Sequence, residues 1–200
     1  FPTRRSSDLL IEAAIYAARQ LGMTISFDCN YRSMLWSFDK ARDIISRYLP
    51  YVDVLIGIEP LHLQDENGHD LKDGMSMQPD YEEQDRIFQA MADRYHFKAI
   101  ARHVRYTHSS SENSLKAYLY YNGQTYESKL FRFQILDRVG GGDAFSSGLI
   151  YALMNNYKPR DVVNFAVASS VMKHSIHGDT NITDVESIQR LMNQSFDVQR

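Results

Sequence analysis

Apolar positions in "LLIEAAIYAARQLGM" (9–23) recur at helical spacing and end at Gly22, predicting a helix from Leu9 to Leu21. "TISFD" (24–28) then reads as a short buried strand, and "NYRSMLWS" as the loop leaving its C-terminal end. "KARDIISRYLPY" (40–51) is amphipathic and stops near Pro50, and the apolar "VDVLIG" (52–57) predicts a second strand. A helix over 80–96 opens on an acidic first turn, which suits the helix dipole, and the strand "KAIARHV" follows it. "KAYLYYNGQTYESKLFRF" (116–133) alternates around Asn122-Gly123, a strong short-range hairpin signal. Helices are predicted from about Asp143 to Tyr157, from Arg160 to His174 and from Asp184 to Asn193. Strands alternating with helices predict an α/β fold with a mostly parallel sheet, right-handed crossovers and one antiparallel hairpin.

The 200 residues suit one domain with one core, and 44% hydrophobic with 24% charged residues is ordinary globular composition. A net charge of -3 offers no general attraction to nucleic acid or to an anionic membrane surface. No apolar run reaches membrane-spanning length, and no secretory segment is visible. Cys29 is the single cysteine, so no internal disulfide is expected and a reducing, cytoplasmic setting fits. The opening "FPTRRSSDL" is polar and basic, unlike the apolar helical pattern that begins at Leu9. Residues 1–8 read as a foreign or mistranslated leader, with a native disordered tail as the alternative, ahead of one domain over 9–200.

The chemistry concentrates in "DRVGGGDAF" (137–145). The first N–H groups of a helix have no intrahelical partner and carry the positive end of its dipole. Glycines let that backbone approach an anion closely. A carboxylate beside such an anion hole makes sense if it accepts a proton from an attacking hydroxyl. The plainer alternative is that Asp143 caps its helix and the glycines form a turn. Neither the P-loop nor the dinucleotide fingerprint is matched.

"DRVGGGDAFSSGLIYAL" resembles the C-terminal signature of the ribokinase-like (PfkB) carbohydrate kinases, Asp-Thr-x-Gly-Ala-Gly-Asp-Ala-Phe with a further glycine. The resemblance implies a three-layer α/β/α sandwich. It also implies an anion hole at Gly140, Gly141 and Gly142, Asp143 as catalytic base, and Gly148 for close helix packing. Arg138 stands at the usual Thr and Gly141 at the usual Ala. "ISFDCNYRSMLWS" (25–37) resembles the 2-keto-3-deoxygluconate kinase pattern Asp-x-Asn-x-Arg-x-x-Leu-Trp, which implies Asn30 and Arg32 as substrate contacts. A guanidinium fork can grip a sugar acid's carboxylate in two parallel bonds, whereas pairing of Arg32 with a nearby Asp and a core role for Trp36 is the structural alternative. "NFAVASSVMKHSIHGDTN" (164–181) resembles the family's adenine-side helix and following turn, placing Asp179 as a substrate contact or a turn residue, and "FDVQR" reads as a C-terminus. His174 and His177 stand three apart without a third ligand and read as surface or packing residues.

The pattern is broken in places. The family's Asn-x-x-Glu element is absent where "IEPL" (58–61) stands, although Glu59 is close by, and Arg105 in "HVRYTHS" occupies a position where glycine is common. Arg105 is therefore a candidate phosphate contact. The match covers the C-terminal part of such a kinase, without its first strands and β-lid, and the lid serves to exclude water. The resemblance implies ATP with Mg2+, a small sugar-acid substrate, and a homo-oligomeric parent enzyme. Another sugar kinase of the same fold, for fructose or ribose, and a catalytically incompetent nucleotide-binding fragment are the alternatives.

Overall fold

A computed structural model describes residues 3–193, with the side chains of residues 9–193. The element order is α1 (Thr3–Gln20), β1 (Ser26–Asp28), α2 (Phe38–Tyr48), β2 (Val54–Ile56), α3 (Tyr81–Tyr95), β3 (Ala99–Thr107), β4 (Glu112–Tyr121), β5 (Gln124–Glu127), β6 (Phe131–Gln134), α4 (Gly141–Met154), α5 (Pro159–Lys173) and α6 (Val185–Asn193). The described strands hydrogen-bond in the order β1-β2-β3-β4-β5, with β6 on β4, giving a mixed α/β sheet. β1, β2 and β3 are parallel, while β4 and β6 are antiparallel. Among the described residues, no helix is long and apolar enough to cross a membrane.

The chain forms two compact units, residues up to 101 with 120–124, and residues 102–119 with those from 125 onward. In the first unit, Ser26–Asp28 of β1 run alongside Val54–Ile56 of β2, which in turn run alongside Ala99–Ala101 of β3. Local chemistry sets the helix ends. Asp80 caps α3 by accepting the Glu83 N–H at 2.8 Å, and Glu82 and Glu83 face the positive end of the dipole. His96 then ends the helix in the left-handed conformation. α2 is capped by Ser37, and Pro50 closes it through a short 3-10 turn over Leu49–Tyr51. Leu55, Ile87, Phe88, Met91 and Ile100 are fully buried.

Two expectations fail in this unit. β1 is not a buried strand, because Ser26 and Asp28 are exposed and Phe27 is half-buried. Among the described strands it stands at the end of the order with β2 as its neighbour, and an edge strand is covered less than a central one. α1 begins at Thr3 rather than at the expected Leu9, and its apolar residues are largely open, Leu10 at 71% and Tyr16 at 68%. The terminal "FDVQR" lies outside the described residues.

In the second unit, Glu112–Leu115 of β4 pair with Gln134–Phe131 of β6. Arg132 reinforces that ladder with a two-pronged contact to Glu112, 2.9 Å and 2.8 Å. β4 and β5 are joined by Asn122-Gly123, both at positive φ (50° and 83°), the two-residue turn that this dipeptide favours. α5 is buried along nearly its whole length from Val162 to Val171. α4 packs on it through Gly148, where an added Cβ would lie 2.8 Å from the Ser169 Cβ. This is the close approach expected of Gly148.

Candidate active site

The glycine turn lies wholly in the second unit. Gly140 is the N-cap of α4 and adopts the left-handed conformation (φ 76°), which a residue with a Cβ resists. A Cβ there would also stand 2.2 Å from the backbone oxygen of Asp179. Gly141 has no unusual φ, yet a Cβ on it would meet the His174 ring at 2.5 Å. Gly142 is different again: among the described residues, nothing beyond its chain neighbours and its own helix backbone lies within 4 Å of the place its side chain would occupy. The turn is thus backed closely on one side and open on the other.

α4 begins at Gly141, two residues earlier than expected, because Gly140 supplies the cap and its carbonyl accepts the Ala144 N–H at 2.9 Å. The N–H groups of Gly141, Gly142 and Asp143 are the first-turn donors for which an α-helix has no internal acceptor. Asp143 is exposed at their edge. Among the described residues its carboxylate has no hydrogen bond and no ion pair, so it does not cap its helix. Helix N–H groups without internal acceptors beside an unengaged carboxylate form a donor and acceptor set of the kind that proton abstraction next to phosphate requires.

The turn is held by residues that sequence reasoning missed. Asp137 accepts the Val139 N–H at 3.0 Å and the Gly178 N–H at 2.8 Å. Those two bonds hold its carboxyl below the usual carboxylate range. An Asp bonding to the N–H two residues on was a legible local signal; the bond to Gly178 was not. Behind the turn, the Ser170 hydroxyl donates to the Gly141 carbonyl at 2.8 Å. His174 is fully buried and stands at 4.9 Å, centroid to centroid, from the Phe133 ring. It is a packing histidine, as expected, and its backbone oxygen accepts from Leu136 and Asp137.

Desolvation, followed by the charges of Arg105, Lys173 and Arg138, holds His174 behind the turn below the histidine range. Desolvation and then the nearby Arg138 guanidinium lower the pKa of Arg105. Arg138 donates to the Ser110 carbonyl at 2.8 Å. Desolvation, followed by the charges of Arg105 and Arg102, holds His103 below the histidine range. Asp179 meets the turn through its backbone oxygen, while its side chain accepts from the Thr180 hydroxyl at 3.4 Å.

Asn30 and Arg32 belong to the first unit. Asn30 is left-handed (φ 36°), with its N–H bonded to an Asp28 carboxylate oxygen at 3.0 Å. The preceding Cys29 N–H donates to the Ile56 carbonyl, so the β2 end holds the start of the loop. Arg32 is exposed, and its guanidinium donates to the Tyr31 carbonyl at 3.0 Å rather than to an Asp, leaving its fork unmatched by a carboxylate among the described residues. Tyr31 braces the loop by donating to the Trp36 carbonyl and stacking edge-on against Phe38, and Trp36 itself is half-buried. In the same unit, Glu59 has its pKa pushed up to about 7 by burial, with one carboxyl oxygen sealed and unpartnered. Lys72 lies 3.7 Å from its other oxygen and is held by Asp70 at 2.8 Å and 2.9 Å. No group of three His, Cys, Asp or Glu side chains among the described residues is arranged to hold a metal ion.

The model of the pfkB family of carbohydrate kinases matches residues 3–185. The chain belongs to that family. A 2-dehydro-3-deoxygalactonokinase of Haloferax volcanii is 24% identical over 178 residues, which is 89% of this chain and 50% of that protein. The crystal structure of 2-dehydro-3-deoxygluconokinase from Thermotoga maritima superposes with a TM-score of 0.82 at 30% identity, covering 94% of this chain and 55% of that one. A pfkB family carbohydrate kinase from Listeria grayi gives 0.78 at 28% identity, again over 94% and 55%. This pfkB chain therefore spans about half the length of the relatives it matches.

Proposed function

We propose that the protein to which this chain contributes is an ATP-dependent kinase of a 2-keto-3-deoxy sugar acid, phosphorylating its hydroxymethyl group. The observation that carries this reading is the start of α4: three N–H donors without internal acceptors, an open face at Gly142, and the unengaged Asp143 carboxylate. The names of the Haloferax and Thermotoga relatives support a deoxy sugar acid.

In this reading the hydroxymethyl oxygen bonds to the γ-phosphorus as the bridging P–O bond to ADP breaks. Asp143 takes the hydroxyl proton, and the N–H groups of Gly140–Gly142 and Asp143 hold charge on the phosphoryl oxygens. Arg105 adds positive charge beside the phosphates. Arg32, with Asn30, recognises the acid end of the sugar, and Asp179 supports the turn through its backbone. Bound magnesium would neutralise phosphate charge; with no protein cage among the described residues, it fits a site built largely from nucleotide phosphates and water.

Nucleotide binding without turnover is a second reading, favoured by Ile58, Glu59, Pro60 and Leu61 standing where the family's Asn-x-x-Glu element is expected. A fructose or ribose kinase is separated from the sugar-acid kinase by what Arg32 recognises. The test is phosphoryl transfer from Mg-ATP to 2-keto-3-deoxygluconate, with Asp143→Asn alongside. Turnover lost in the variant with nucleotide binding kept supports the proposal, and turnover retained in Asp143→Asn sinks it.

A further inference from the structure

His174 is fully buried at the C-cap of α5, and Gly141 occupies the first turn of α4. Gly140 needs to be glycine for its backbone, but no backbone angle asks this of Gly141. What excludes a side chain at 141 is the imidazole: an added Cβ would lie 2.5 Å from Cε1, 3.0 Å from Nε2 and 3.2 Å from Nδ1. The whole edge of the ring therefore abuts one glycine of the anion cradle.

The ring is fixed on its other side. Nδ1 lies 2.7 Å from the Ser170 carbonyl oxygen, which can accept and cannot donate, so Nδ1 carries the proton. That leaves a bare lone pair on Nε2, buried and without a hydrogen-bond partner among the described residues. Such an atom is costly to bury and implies that the ring is kept for its placement. Ser170 is used twice, since its hydroxyl also holds the Gly141 carbonyl at 2.8 Å. The Phe133 ring closes the remaining side.

We infer that His174 is a positioning residue for the phosphate cradle: its imidazole is the wedge that sets the backbone of Gly141, and Gly141 is glycine to admit that wedge. The inference rests on the glycine turn being an anion site. It makes the two positions interdependent: an alanine at 141 displaces the ring or the turn, while an alanine at 174 leaves the turn unsupported. Combining the two substitutions puts a methyl group where the ring edge was.

The test is a double-mutant cycle of Gly141→Ala, His174→Ala and the pair, read in this chain by titrating tripolyphosphate and following the amide resonances of Gly141, Gly142 and Asp143. Either single substitution should weaken tripolyphosphate about tenfold or more, as expected for lost charge-assisted hydrogen bonds, and the double variant should recover to within about threefold of the parent. Unchanged affinity in Gly141→Ala, or a double variant no better than its singles, overturns the inference. If the parent itself gives no amide shifts, the anion reading of the turn fails. Urea denaturation of the same four proteins still decides the wedge: non-additive stabilities support it, and additive ones overturn it.

Discussion

The Asp137 carboxylate accepts the Gly178 N–H at 2.8 Å across 41 positions of sequence while also accepting the Val139 N–H at 3.0 Å. One side chain thus joins the segment entering the glycine turn to the loop after α5. Asp179, the next residue in that loop, presses its carbonyl against Gly140. The shape of the glycine turn depends on this clasp as much as on the glycines.

Asp137→Ala should lower thermal stability at neutral pH and weaken nucleotide binding. The folded-state pKa of Asp137 is depressed, so its contribution is present above the ordinary carboxylate value of 3.8 and is lost as pH falls through the lower folded value. Melting temperatures of parent and variant should therefore differ at pH 7 and converge in strong acid. A difference that stays constant down to that range would refute the clasp.

Arg32→Ala tests substrate class. A charge-assisted contact contributes about 1.5–3 kcal/mol, so kcat/KM for a sugar acid should fall roughly ten- to 150-fold. Activity on neutral sugars should barely change. Equal losses on acid and neutral sugars would assign Arg32 to the loop rather than to the carboxylate.

Glu59 carries the opposite pH signature. Burial raises its pKa from 4.5 to about 7, so its contribution is fully present below 4.5 and is lost as pH rises through 7. Glu59→Gln should flatten the stability–pH curve over that window, as measured by urea denaturation at several pH values. A parent curve that already lacks any decline there would place the Glu59 charge in better compensation by Lys72 than its 3.7 Å separation suggests.

Gly148→Ala should destabilise the α4–α5 pair by about 1–3 kcal/mol, the usual cost of overpacking. The cause is the 2.8 Å approach to the Ser169 Cβ. Ser169→Gly in the same chain should recover most of the loss, and failure to do so would locate the strain at the Ala166 backbone, 3.3 Å away.

Several elements are legible in the order of amino acids alone, each because its cause is local. The Asp80 cap and acidic first turn start α3, Pro50 closes α2, and Asn122-Gly123 turns the hairpin at positive φ. The glycine turn ahead of α4 belongs to the same class, although the helix starts at Gly141 with Gly140 as its cap and not at Asp143. The family is legible for the same reason, from contiguous motifs around Asp143 and Arg32.

What only the tertiary structure decided is which distant groups meet. β1 is exposed at the end of the described strand order, a place in the sheet that its own residues do not encode. Asp137 could be read as a turn residue, but its bond to Gly178 requires two loops to be brought together. The glycine at 141 looked like flexibility, and it is room for the imidazole of His174. Backbone conformation is set by neighbours in sequence, whereas the space available to a side chain is set by whatever the fold packs against it.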